Sequence, residues 1–114
     1  MRILVTGSNG QLGNELRILA QSHPDFEFLF TDLDELDITS ETSVEKTFSE
    51  FIPLWVINCD AYTAVDKAEQ EPEKAMTINA TAAGILAKAA SQINARMIHT
   101  VSYTHLRAHE TIAL

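Results

Sequence analysis

The sequence predicts an α/β fold, a parallel sheet with helices on both faces. Two observations carry this. Short apolar runs alternate with segments of helical spacing from Arg2 to about Thr100. Such alternation marks βαβ units joined by right-handed crossovers, which place a helix over the sheet between successive parallel strands. In addition, the first run passes directly into a glycine-rich loop that opens a helix. Strand, glycine loop and helix in that order form a unit used to bind phosphates.

"RILVT", Arg2 to Thr6, is the first strand, apolar enough to be buried on both faces. Gln11 to Ser22 carries Leu12, Leu16, Leu19 and Ala20 at helical spacing, and Pro24 ends that helix. "FEFLF", Phe26 to Phe30, is an aromatic second strand. The next helix takes Thr39 or Ser40 as its N-cap, lines Val44, Phe48, Phe51 and Ile52 along one side, and stops at Pro53. "WVINC", Trp55 to Cys59, is the third strand, and Ala64 to Gln70 reads as a short helix. Glu73 to Ile93 is a long alanine-rich helix with Met76, Ile78, Ile85, Leu86 and Ala89 or Ala90 on its apolar side. "RMIHT", Arg96 to Thr100, is the fourth strand. Four such strands make about half of a doubly wound dinucleotide-binding sheet, with expected strand order 3-2-1-4. The fourth strand is expected to lie at an exposed edge.

Composition narrows the function classes. The chain has 114 residues, 46% of them hydrophobic and 21% charged, as in a one-domain globular protein. Sixteen acidic residues against eight basic give a net charge of −8. A nucleic-acid binder carries a basic stripe, which this sequence lacks, so nucleic acid is not an expected partner. No apolar run approaches the length of a membrane span. The sequence begins on a strand, leaving no room for a secretory signal. Cys59 is the sole cysteine and fits a reducing compartment, so a cytoplasmic location is expected.

The chemistry lies in "TGSNGQLG". Gly7, Gly10 and Gly13 are spaced G-x-x-G-x-x-G. The first glycine allows a tight turn, the second lets a pyrophosphate approach the backbone, and the third allows close packing of the helix on the strand. The helix N-terminus then offers N–H groups and partial positive charge to the phosphates. Asp32 follows the second strand at the place where a carboxylate accepts hydrogen bonds from an adenosine ribose. "NCDAYT" brings small and polar groups to the same sheet edge. A tight turn with no ligand is the plain alternative, and the strand–loop–helix context argues against it.

This glycine spacing resembles that of the extended short-chain dehydrogenase/reductases, and so a Rossmann-type sheet. "VINCDAYTAVDKAEQEPEKAMTINATAAGILAKAA" is similar to the dTDP-4-dehydrorhamnose reductases within that superfamily. "AYTAVDKAE", Ala61 to Glu69, is the most specific stretch, and "LDIT", Leu36 to Thr39, matches as well. The resemblance runs through residues 1–100 and implies the N-terminal part of an NAD(P)-binding domain. It implies that Gly10, Gln11 and Leu12 face the pyrophosphate, that Asp32 holds the ribose and that Asp37 and Ile38 flank the adenine. It further implies that Asp60, Ala61, Tyr62 and Thr63 line the cofactor beyond the pyrophosphate, and that Thr100 sits near the nicotinamide half. The implied reaction is reduction of the C4 keto group of dTDP-4-dehydro-L-rhamnose by NADPH or NADH. The family often holds Mg²⁺ at a dimer contact, so a homodimer is implied for the parent protein, with a dTDP-sugar as substrate. Two rivals share the motif: another sugar-nucleotide epimerase or dehydratase, and a non-catalytic NADP-binding regulatory subunit of the methionine adenosyltransferase type.

Asp60 departs from the family's alanine and puts a carboxylate near the expected pyrophosphate. No basic residue lies within the glycine loop while Asp32 is acidic, so on charge alone NADH is tolerated at least as well as NADPH. Asp66, Lys67 and Glu69 read equally as a solvated helix face. Asn79 reads as a relay toward the site or a plain surface residue, and Cys59 as a small buried residue.

After Thr100 the family pattern continues Ser-Thr-Asp-Tyr, whereas this chain gives "VSYTHLRAHETIAL". Residues 101–114 read as sequencing-adapter read-through. Tyr103 with Arg107 imitates a Tyr-x-x-x-Lys pair but has Arg in place of Lys. His105 and His109 lack the Glu of a zinc motif, and Ser102 matches a catalytic threonine position by coincidence. No catalytic or metal-binding residue is therefore assigned within the chain. The general acid and the carbonyl-holding hydroxyl belong to the segment beyond the break, so the chain by itself is expected to be inactive.

Overall fold

The computed structural model describes residues 1–32, 34–59, 72–102 and 109–113, with backbone alone for 72–79, 101–102 and 109–113. The elements run β1 (Arg2–Thr6), α1 (Gln11–Ala20), β2 (Glu27–Phe30), α2 (Glu41–Phe51), β3 (Trp55–Asn58), α3 (Pro72–Gln92), β4 (Arg96–Ser102) and β5 (His109–Ala113). The short helix expected over Ala64 to Gln70 lies outside the described residues. Among them, no helix is long and apolar enough to cross a membrane.

One five-stranded sheet has the order β2-β1-β3-β4-β5. β1 pairs in parallel with β2 and β3, and β3 with β4. The doubly wound parallel sheet is as expected, but the order 3-2-1-4 is not. That order needs the third strand outside β2. Here Asp34, Glu35, Ile38 and Thr39 lie in turns, Leu36 and Ile38 are buried, and α2 carries the chain back across β1. β3 consequently lies beside β1. The expected exposed edge of β4 is also corrected: β5 covers it antiparallel, with His99 opposite Ile112 and Thr100 opposite Thr111. "HETIA" places Thr111 and Ile112, both β-branched, at its centre, a composition that suits a strand.

Reversal of direction at β1 distributes the helices. α2 and α3 pack together over one face, around Leu4, Val44, Phe48, Val56, Ala82, Leu86, Ala89, Ala90 and Met97. α1 lies against the other face, where the Arg17 guanidinium carbon stands 4.8 Å from the centre of the Phe30 ring. The buried side of α1 is narrower than its leucine spacing suggests. Leu12 and Leu19 remain 41% and 51% exposed, and Gly13, Leu16 and Ala20 turn inward.

Ser40 is the N-cap of α2, its hydroxyl accepting from the Ser43 N–H at 3.3 Å. Ile52, expected on the apolar side, instead closes the helix in a left-handed conformation with φ 51° and is 59% exposed. Asn94, also left-handed, ends α3, and the Ala95 N–H returns to the Ala90 carbonyl at 2.8 Å.

Candidate functional site

β1 goes out to α1 on one side and β3 to α3 on the other, so the carboxyl ends of these two neighbouring strands diverge. A crevice at such a switch point is where open α/β sheets bind ligands. The glycine loop forms one wall, and its three glycines do three different things. Gly7 is buried with φ 67°, a backbone state that costs an ordinary residue about 1–2 kcal/mol. At Gly13 an added Cβ would lie 2.3 Å from the Ser8 carbonyl oxygen and 2.4 Å from Ser8 Cα. The close approach is therefore to the loop itself rather than to the strand proper. At Gly10 a Cβ would meet only the Gly7 oxygen, at an ordinary 3.6 Å. The protein itself tolerates a side chain there, so the bare backbone leaves room for something else.

Gly10 is the N-cap of α1 and provides no side-chain cap. The first backbone bond of the helix runs from the Asn14 N–H to the Gly10 carbonyl at 3.0 Å. Gln11, Leu12 and Gly13 therefore start the helix ahead of its internal bonding pattern. Gly10, Gln11 and Leu12 are exposed, whereas Gly7 and Gly13 are buried.

Asp32 stands beside this loop. Its Oδ2 accepts from the Asn9 N–H at 2.9 Å, and the preceding Thr31 carbonyl accepts from the Ser8 N–H at 2.9 Å. Asp37 and Ile38 separate in role. Ile38 is 4% exposed and belongs to the core. Asp37 is exposed, and its carboxylate accepts from both the hydroxyl and the backbone N–H of Thr39. Those bonds hold the Asp37 pKa below the usual carboxylate value. Asp60, Ala61, Tyr62 and Thr63, with Asp66, Lys67 and Glu69, lie outside the described residues, as does the side chain of Asn79.

Thr100 is joined to β3, its hydroxyl donating to the Asn58 carbonyl at 2.9 Å. Asn58 is the centre of a polar line that sequence inspection did not single out. Thr6, Asn58 and His99 are register partners across β1, β3 and β4, so their side chains emerge on one face. The Thr6 hydroxyl donates to Asn58 Oδ1 at 2.6 Å, and Asn58 Nδ2 meets His99 Nδ1 at 2.8 Å. The amide nitrogen has only hydrogens to offer, so Nδ1 is the acceptor and the imidazole proton sits on Nε2. Burial lowers the His99 pKa. Arg17 was also missed: its Nη2 donates to Ser8 Oγ at 2.8 Å. The available signal was its spacing four after Gly13, which puts both on the side of α1 that meets the loop.

The family model described as the RmlD substrate binding domain matches residues 1–105. The chain belongs to the RmlD substrate-binding-domain family. It is 40% identical over 98 residues to a dTDP-4-dehydrorhamnose reductase of Aggregatibacter actinomycetemcomitans, covering 86% of this chain and 33% of that protein. A crystal structure of a dTDP-4-dehydrorhamnose reductase from Clostridium acetobutylicum superposes with a TM-score of 0.77 at 44% identity, over 85% of this chain and 34% of that one. The Bacillus anthracis dTDP-4-dehydrorhamnose reductase, solved in complex with NADP, gives 0.75 at 37% identity, over 84% and 34%. The chain thus spans about a third of the length of the RmlD-family proteins it matches. A metal is a separate matter. Among the described residues no group of three or more His, Cys, Asp or Glu side chains is placed to hold Mg²⁺.

Proposed function

We propose that this chain is the cofactor-binding N-terminal part of an NAD(P)H-dependent dTDP-4-dehydrorhamnose reductase. The parent enzyme reduces the C4 keto group of dTDP-4-dehydro-L-rhamnose to give dTDP-L-rhamnose. The glycine loop carries this reading: it is bare at Gly10, tightly packed at Gly13 and flanked by Asp32, in a chain 40% identical to a reductase of that name.

When bound, the nicotinamide supplies the hydride. The residues of this chain bind and orient. The first-turn N–H groups of α1 receive the pyrophosphate, with the helix dipole favouring its charge. Asp32 accepts from the adenosine ribose hydroxyls. Asp37 and the backbone at Ile38 border the adenine. Residues 60–63 continue the wall, and Thr100 stands toward the nicotinamide end. The proton donor for the developing alkoxide comes from the rest of the parent protein, which also holds the dTDP-sugar and forms the homodimer, all in the cytoplasm. Residues 101–114 are not part of its native sequence.

Two measurements test this. Sequencing of the source DNA across the codon for Thr100, from a library made without transposase, should return Ser-Thr-Asp-Tyr and later a Tyr-x-x-x-Lys pair. Return of "VSYTHLRAHETIAL" followed by a stop codon rejects the reductase. The parent protein should then oxidise NADPH only when given dTDP-4-dehydro-L-rhamnose, whereas the 114-residue chain should bind the cofactor without turnover.

A further inference from the structure

The glycine loop contains no cation of its own, yet the fold brings one to it. Arg17 Nη2 donates to Ser8 Oγ at 2.8 Å, and the guanidinium carbon stands 4.8 Å from the centre of the Phe30 ring. Ser8 is fully buried and Phe30 half-buried, so both anchors are fixed, whereas Arg17 itself is exposed. A guanidinium has five N–H donors in a planar fork, and Ser8 engages one of them. The next residue, Asn9, donates its N–H to Asp32 Oδ2 at 2.9 Å. Adjacent Cα atoms are ~3.8 Å apart, so one dipeptide carries a guanidinium on Ser8 and a carboxylate on Asn9.

We propose that Arg17 forms a phosphomonoester subsite that takes the 2′-phosphate of NADPH, next to the ribose held by Asp32. This rests on the cofactor reading given above. Asp32 alone repels a phosphate on the ribose 2′-oxygen. The planar fork of Arg17, held in place by Ser8 and Phe30, supplies the opposite charge and a geometry matched to phosphate oxygens. The pair makes the site one that accepts either cofactor, NADH through Asp32 and NADPH through Arg17.

The test is a nicotinamide-fluorescence titration of the chain with NADPH and with NADH, for wild type, Arg17→Gln and Arg17→Lys, at low and at physiological salt. Arg17→Gln should weaken NADPH ~10-fold, the effect of one charge-assisted contact, and leave NADH unchanged. Arg17→Lys should retain part of the NADPH affinity. Added salt should weaken NADPH more than NADH, as an exposed charge pair is screened. Adenosine 2′,5′-bisphosphate should compete better than 5′-AMP in wild type only. If Arg17→Gln weakens both cofactors equally, the guanidinium serves the pyrophosphate or the loop's shape, and the subsite is rejected while the reductase reading stands. If neither cofactor is weakened, the subsite is rejected in the same way. If wild type binds neither cofactor, the cofactor reading fails and the subsite with it.

Discussion

Asn58 and His99 meet side chain to side chain at 2.8 Å across two adjacent strands, and the amide's role as donor fixes the imidazole as neutral. Burial lowers the pKa of His99 from its usual 6.5. The sign of the resulting pH dependence follows. As pH falls below 6.5, the unfolded imidazole takes up a proton that the folded one resists, so the unfolded state binds more protons and stability declines. The contribution is complete above about pH 6.5 and is lost as pH falls through the folded value. His99→Gln keeps an acceptor for Asn58 without a titrating group. Urea unfolding at pH 7.5 and pH 5 should therefore show a smaller loss of stability on acidification in the variant. Equal losses in both proteins assign the dependence to other groups.

Gly10 and Gly13 separate binding from folding. Gly13→Ala drives a methyl onto the Ser8 backbone at 2.3 Å and should cost roughly 1–3 kcal/mol or more in urea denaturation. Gly10→Ala adds a methyl at an ordinary 3.6 Å and should cost only the weaker N-cap, up to about 1 kcal/mol. In the proposed cofactor site the same methyl would stand in the place of the pyrophosphate, so NADPH affinity should fall by at least ~10-fold. A Gly10→Ala chain that loses as much stability as Gly13→Ala, or that binds NADPH as wild type does, contradicts this division.

What the sequence made legible was local. The turn at Gly7 and the bounds of β1 follow from neighbouring residues and lie where expected, and of the two caps expected, Thr39 or Ser40, the structure uses Ser40. Strand order was not local. It depends on whether the chain after β2 adds a strand outside it or turns back, and the burial of Leu36 and Ile38 against α2 and α3 decided for turning back. The line Thr6–Asn58–His99 depends on register between strands distant in sequence, which no spacing rule reveals. The Ile38 side chain lies in the core, 4% exposed, where an apolar group of that kind gains most, and its place in "LDIT" did not reveal that.

Ile52 ends α2 with φ 51° and is 59% exposed. A β-branched residue is strained in this conformation, whereas asparagine adopts it more readily. Ile52→Asn should raise stability by about 0.5–1 kcal/mol, with the Phe48 carbonyl bond at the helix end retained. Thermal melts compare the two chains directly. A lower melting temperature in the variant means that Ile52 packs usefully in spite of its exposure.

The exposed carboxylate of Asp37 is tied to Thr39 through two hydrogen bonds, from its hydroxyl and its backbone N–H, and the hydroxyl is the larger cause of the lowered pKa. Thr39→Val keeps the shape and the backbone bond but removes that donor. The Asp37 pKa should therefore rise toward the usual 3.8 without reaching it, because the N–H bond continues to favour the ionised form. In wild type the lowered pKa stabilises the fold above about pH 3.8, and that contribution disappears as pH falls through the folded value. The variant should lose its smaller contribution at a higher pH. A carboxyl-carbon NMR titration reads both values. An Asp37 that titrates alike in the two chains means that the hydroxyl does not hold the carboxylate in solution.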